Sequence, residues 1–487
     1  MSVADDMTPL DEALRKRRRR RIVVLAVIVY IVALYLAQLF NPNDPVVYRD
    51  IVDHFKYGSI GADNNANGIP YWIWKVLPEV FADKLPGEGY ESLGFVSEGR
   101  DTPIGFSRRR VFVDRIGLNC SACHTGAVRD TPDSEPRVIL GMPANTMDLQ
   151  SYYRFLFACA ADSRFTADNI MNAIARRTTL NPLERIAYRA AVYETRDQLM
   201  ERGRAISIFM NKRPDWGPGR VDTFSPYKIV MLNWPDDGTT GTSDLPSLWN
   251  QRPRVDGELD LHWDGNNSSL DERNLSASMG AGTTPPTVDL DRLHRVRDWI
   301  MDLPPPAYPY QINHEIAAKG EIIYRKLCAD CHAFGGSKVG RVTPVAAPEL
   351  QTDRNRLDSY TYPLSANQNL FFAGYPWRFS HFRKTDGYTN MPLDGIWARA
   401  PYLHNGSVPT LADLLEEPQN RPKVFYRGYN VYDREKVGFV STVAEENGRK
   451  FFKFDTSLIG NDNGGHTYGV KLTPDEKKTL VEYMKTL

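Results

Sequence analysis

Net charge and cysteine are both scarce in this 487-residue chain. Lys and Arg total 60, as do Asp and Glu, so there is no basic excess to neutralise a nucleic-acid backbone and no nucleic-acid footprint. The balance hides an asymmetry: residues 15–21, RKRRRRR, hold seven of the basic groups, and without residues 1–21 the body counts 53 basic against 56 acidic side chains. A hydrophobic content of 42% is ordinary for globular material, and the length allows two or three domains. Only five cysteines are present, and four fall in two short stretches, Cys120-Ser121-Ala122-Cys123-His124 and Cys328-Ala329-Asp330-Cys331-His332. The fifth, Cys159 in the apolar run FLFACA, has no thiol left to pair with and reads as a buried core residue.

Each stretch sets two thiols three residues apart, where they can form thioether bonds to the two vinyl groups of one haem. An imidazole that reaches the iron follows. A single CxxC could instead be a zinc half-site or a redox dithiol. Two of them, each with His directly after the second Cys, point to two covalently bound haem c groups. Cys120, Cys123 and His124 would bind one and Cys328, Cys331 and His332 the other, with His124 and His332 as iron ligands.

Charge is also missing from residues 22–40, IVVLAVIVYIVALYLAQLF, nineteen positions with one amide. At about 1.5 Å per residue this is about 28 Å of helix, close to a bilayer's hydrocarbon core. No A-x-A site ends the run, and a signal peptide's apolar region is shorter, roughly 7 to 15 residues. The expectation is one transmembrane anchor behind a cytoplasmic basic tail, 1–21. That places the protein in a bacterial inner membrane as a single-pass chain, with its haem domains in the periplasm. Export agrees with c-type haem, which bacteria attach outside the cytoplasm.

The remainder divides into an N-terminal haem c domain, 41–303, with long irregular insertions, a Pro-rich linker, 304–310, and a C-terminal haem c domain, 311–487. Residues 41–110 lack long helical periodicity, and 167–210 read as surface helices. His54, Met142 and Met147 are possible sixth ligands of the first iron, with core packing as the plainer role of each. A helix from about Leu290 to Met301 precedes the prolines, which remove donors and hold the backbone extended. HEIAAKGEIIYRKLCADCH then reads as an amphipathic helix feeding the second motif. TPDEKKTLVEYMKTL, with Thr473 as N-cap, reads as a last helix packed against it. The fold class is mainly α: two cytochrome c-like haem domains plus the N-terminal transmembrane helix.

Two stretches carry a resemblance. HWDGNNSSLDERN resembles the FWDGRA-x-SLEEQA segment of bacterial di-haem cytochrome c peroxidases and their relative MauG. MPLDGIWARAPYLHNGSVPTLADLL resembles their TPTLRN-x-x-LTAPYFHDGSVWTLEEAV segment, and the last helix matches their ending. FKYGSIG, GIPYWIW and APYLHNGSVPTL look closest to the branch containing rubber oxygenase. The resemblance implies that Trp263 lies between the haems and conducts electrons. It places His466, in GNDNGGHTYG, near the sixth ligand of the C-terminal haem, with His404 and Met391 as rivals. Where those peroxidases keep a distal Gln and Glu, this chain has Arg273 and Thr283. The missing Glu removes the group that would move a proton between peroxide oxygens. Family peroxidases also bind calcium, for which Asp264 to Asn267 could offer oxygens.

Three readings remain open at this stage. One is an oxygen-activating enzyme whose N-terminal haem takes dioxygen and a small apolar substrate, with Trp263 and Arg273 serving the chemistry. The second is a peroxide-using, MauG-like oxidase. The third is a non-enzymatic cytochrome passing electrons to a membrane or periplasmic redox partner.

Overall fold

The computed structural model describes residues 9–39, 48–60, 68–111 and 113–487. Helix accounts for 44% and strand for 12%, so the chain is mainly α, and its strands form small antiparallel pairs and one three-stranded sheet. That sheet, Ile69–Pro70 beside Val113–Leu118 beside Phe106–Val111, was not expected. The alternation that would mark Phe106–Val111 is hidden by three consecutive arginines.

The expected anchor is corrected. Pro9–Leu39 is one helix, but the basic run 15–21 belongs to it. Among the described residues no helix is long and apolar enough to cross a membrane. The single-pass inner-membrane placement, with haem domains held in the periplasm, loses its basis with it. Residues 1–8 of the expected tail and residue 40 of the expected span lie outside the described residues.

The largest core is built from the N-terminal part. Tyr71–Val80, Leu149–Ala161 and the long Pro182–Met210 helix enclose Trp74, Tyr90, Phe106, Tyr152 and Cys159, all buried. Asn181 and Glu184 close a capping box at the start of the long helix. Cys159 lies wholly inside this core, as its apolar neighbours in sequence imply.

A second core joins residues from both sides of the proline run: Met142 and Trp249 with Tyr308, Trp397, Tyr402, Leu480 and Met484. The prolines adopt neither helix nor strand. They are seated on this core, since Trp397 Nε1 donates to Pro306 O at 2.7 Å and Tyr308 is buried. Helix Leu290–Met301 ends just before them. The two helices expected to pair do so: in His314–Leu327, a Cβ on Gly320 would fall 2.1 Å from Thr479 O of Pro474–Met484. Thr473 and Glu476 form the expected capping box. This crossing fixes the direction in which His314–Leu327 delivers the second CxxCH motif.

Candidate functional site

Each CxxCH motif is wound into a single helical turn. The His124 amide donates to Cys120 O at 3.1 Å and the His332 amide to Cys328 O at 2.9 Å. That winding brings thiols at i and i+3 and the following imidazole to one side. At the first motif, Asn119 Oδ1 caps the turn by accepting from the Ser121 amide at 2.9 Å. No disulfide joins any of the five cysteines. Burial pushes Cys120 and Cys328 up to about 11 and Cys123 up to about 12, and raises Cys331. The four motif thiols are therefore uncharged in surroundings suited to a porphyrin edge.

The two motif histidines are held alike. His124 Nδ1 lies 2.8 Å from Pro246 O, and His332 Nδ1 lies 2.7 Å from Met391 O. A carbonyl can only accept, so each Nδ1 carries the proton and each Nε2 has its lone pair free for a metal. Burial pushes His124 down to about 4 and lowers His332, which keeps both imidazoles neutral.

His466 faces His332, their ring centroids 6.2 Å apart and their planes at 44°. A metal–imidazole bond of about 2 Å, with about 1 Å more from nitrogen to ring centre, puts two trans imidazoles about 6 Å apart between centroids. The spacing therefore fits one haem iron between these rings. Among the described residues His466 Nδ1 has no hydrogen-bond partner. Burial first, then the neighbouring His332, hold its pKa down at about 3. The rivals lie elsewhere. His404 stacks on Tyr388 at 4.0 Å, with Nε2 3.0 Å from the Tyr388 hydroxyl. Met391 lends its carbonyl to the far edge of His332.

No other histidine ring, among the described residues, pairs with His124 as His466 pairs with His332. His54 Nε2 lies 3.4 Å from Arg292 O. Met142 packs its sulfur against Gly126, and Met147 belongs to the N-terminal core. Arg273 reaches this site electrostatically, its charge acting on both His124 and Cys120. It donates to Gln251 Oε1 at 2.9 Å and to Asn274 Oδ1; burial, then the Arg254 charge, lowers it to about 10. Thr283 is buried with its hydroxyl unpartnered among the described residues.

Arginine charge acts on both motif histidines. Arg254 and Arg399 both bind Asp394 at 2.7 Å, and among the described residues the buried Arg399 Nε has no partner. Arg399 acts on His332, and Arg254 on Arg273. Two arginines sharing one carboxylate leave one positive charge over, which a propionate of bound haem would balance.

Trp263 touches both histidine systems. Its Nε1 donates to Asp244 O at 2.8 Å, two residues before Pro246, the acceptor for His124. Its own carbonyl accepts from the Thr389 amide at 2.8 Å, two residues before Met391, the acceptor for His332. Sequence reasoning did not find these carbonyl segments, because any residue type can supply a main-chain acceptor. It also gave no role to Arg254, Asp394 or Arg399. The oxygens suggested for calcium are engaged: Asp264 pairs with Arg356 at 3.0 Å, and Asn266 Oδ1 accepts from His262 at 2.6 Å. Among the described residues no group of three or more His, Cys, Asp or Glu converges as a metal site would require.

Residues 387–426 match the family described as RoxA-like, cytochrome c-like, a stretch that takes in MPLDGIWARAPYLHNGSVPTLADLL. The match supports the cytochrome c link and does not by itself reach the peroxidase and MauG relatives. Two proteins of Sinorhizobium fredii (strain NBRC 101917 / NGR234) are similar. Uncharacterized protein y4iM is 31% identical over 290 residues, covering 50% of this chain and 64% of that protein. Uncharacterized protein y4iJ is 24% identical over 530 residues, covering 83% and 85%. The chain thus spans just under two thirds of the first relative. It contains a RoxA-like cytochrome c-like domain, which implies that it binds haem c.

Proposed function

We propose that the chain is a di-haem c-type redox protein. In this reading one haem is held by Cys120, Cys123 and His124, the other by Cys328, Cys331, His332 and His466, and Trp263 carries electrons between them. The observation that carries the reading is the double attachment of Trp263. One hydrogen bond leads through Asp244, Leu245 and Pro246 to His124, and the other through Thr389, Asn390 and Met391 to His332. An indole is large, polarisable and oxidisable, so it suits a relay position that a saturated side chain would not.

The haem supplies the redox chemistry when bound. The chain's own residues divide the remaining tasks. His332 and His466 enclose a centre with no vacant position, suited to electron transfer. Among the described residues no histidine ring pairs with His124 in this way, so a haem held there would be the candidate centre for dioxygen, peroxide or a small apolar substrate. Arg273 supplies a fixed positive charge beside that centre, and neither it nor Thr283 can act as the carboxylate base of a peroxidase. This favours an oxygen-activating enzyme over a peroxide-using oxidase.

Low-temperature electron paramagnetic resonance of the oxidised, haem-loaded chain tests the assignment. One high-spin and one low-spin ferric signal are expected. Two low-spin signals would instead mean that both irons are fully ligated, and would favour a plain electron-transfer cytochrome.

A further inference from the structure

His466 is placed by no helix or strand. It lies in the irregular segment 461–467, and its backbone adopts a left-handed φ of 47°, directly after Gly465 at 72°. Gly465 adopts such a φ freely, but for His466 the left-handed region is disfavoured by its Cβ. Something outside the segment has to hold it. On one side the His466 and Thr467 amides donate to Leu350 O and Glu349 O, both at 2.8 Å. A Cβ on Gly465 would stand 1.9 Å from Leu350 O, so the segment lies hard against that strand of chain.

On the other side stands Arg421. Its guanidinium is buried, 2% exposed, and donates to five main-chain carbonyls with no carboxylate among its hydrogen-bond partners. Three belong to the histidine segment: Asn463 O at 2.6 Å, Gly465 O at 2.8 Å and His466 O at 3.3 Å. The other two, Leu414 O at 3.1 Å and Glu416 O at 3.1 Å, lie at the C-terminal end of helix Leu411–Leu414. A planar fork of five donors is the one side chain that can satisfy so many carbonyls at once.

We infer that Arg421 is a positioning residue for the second haem: it bolts the segment 463–466 to the end of helix Leu411–Leu414 and so fixes His466 opposite His332. The inference rests on the proposed ligation by these two histidines. Arg421 touches neither the haem nor the iron in this role and acts only through His466. Buried carbonyls left without their donor are costly, so without the guanidinium the segment relaxes toward solvent and carries the imidazole off the iron.

The test uses the full haem-loaded chain and paramagnetic resonance of its ferric state, with the first haem as an internal control for folding. His466→Ala converts the second haem from low-spin to high-spin. Arg421→Gln is expected to lose most of that low-spin signal, to leave the first haem's signal unchanged, and to regain the low-spin signal when free imidazole is added. Arg421→Lys, which keeps the charge but cannot span both sets of carbonyls, is expected to fall between. A second haem that stays fully low-spin in Arg421→Gln overturns the inference. If that variant also disturbs the first haem, Arg421→Lys decides: a full low-spin signal there overturns the inference, and a partial one rescued by imidazole supports it. A second haem that remains low-spin in His466→Ala overturns the ligand assignment itself, and the inference falls with it.

Discussion

Gly320→Ala tests whether the crossing of the two terminal helices governs the placement of the second CxxCH motif. Gly320 is buried in His314–Leu327, between Ala317 and Tyr324 on the same face. A Cβ there would lie 2.1 Å from Thr479 O and 2.8 Å from Tyr483 Cβ. Carbon and carbonyl oxygen tolerate about 3.3 Å, so the helices must separate by about 1.2 Å. Alanine returns about 1 kcal/mol of helix propensity, whereas overpacking a well-filled contact costs about 1–3 kcal/mol. The obstructing atom is main chain and cannot rotate away, which places the cost at the upper end and leaves a net loss of about 2 kcal/mol. The separation also pulls Tyr324 from Tyr483, whose rings are 5.1 Å apart, and displaces Cys328 at the end of the same helix. Guanidinium unfolding of the haem-loaded chain, followed by haem absorbance, measures the change. Gly280→Ala is the control: Gly280 closes helix Leu270–Gly280 with nothing within 4 Å of its Cβ position, so that variant should be neutral or slightly more stable. Equal midpoints for the two variants would refute the reasoning.

Trp263→Phe keeps an aromatic ring but removes the donor to Asp244 O, so it should cost about 1 kcal/mol in stability and, on the proposed di-haem reading, slow electron transfer between the haems while leaving both haem spectra unaltered. Photochemical reduction of one haem, with the other followed in time, reads the rate; an unchanged rate would remove Trp263 from the path. The haem-free chain should lose stability in mild acid. His262 donates from Nδ1 to Asn266, and burial pushes its pKa down to about 4, as it does for His124. Folded-state values below the unfolded value of about 6.5 mean that the unfolded chain takes up protons first. The stabilisation is complete above about pH 6.5 and is lost as pH falls toward 4, at about 1.4 kcal/mol per unit for each group. Denaturant midpoints that stay level between pH 7 and pH 4.5 would contradict this.

What was legible in the sequence was whatever is written in local spacing. The turns at Cys120 and Cys328, the helix Leu290–Met301, the Thr473 cap and the pairing of the terminal helices all follow from residues within a few positions of one another. The short strands were not legible, because two- to six-residue pairs are set by a distant partner. Arg110 and Asp114, for example, pair across a tight hairpin with charged residues on both sides. The anchor was misread because composition alone describes residues 22–40. The apolar run shares its helix with the arginines, and among the described residues no helix is long and apolar enough to cross a membrane. At the candidate site the sequence pointed to His466 and Trp263 through resemblance. It could not point to the carbonyls of Pro246, Met391 and Asp244, which have no side-chain signature.

The placement of Trp263 also explains why charge is buried around it. Asp244, whose carbonyl receives the indole, turns its carboxylate to Arg427 at 2.5 Å; the two side chains are 4% and 2% exposed. Asp264, the next residue after Trp263, binds Arg356 at 3.0 Å with both side chains almost wholly enclosed. Such pairs add little net stability, because desolvation offsets most of the attraction. For Asp244 the burial outweighs the arginine and raises the carboxyl pKa. Their effect is one of geometry. Each carboxylate must meet its guanidinium or leave a charge buried and unpaired, so the peptide units on either side of the indole have a single acceptable position. Arg427 further donates to Pro218 O and Gly406 O, and Arg356 to Ser243 Oγ, which ties segments distant in sequence to the same point. The carbonyls that orient His124 and His332 lie two residues beyond residues bonded to Trp263. A displacement of the indole therefore bears on Asp244, two residues from the acceptor of His124, while Thr389, two residues from the acceptor of His332, is held by the main chain of the same tryptophan.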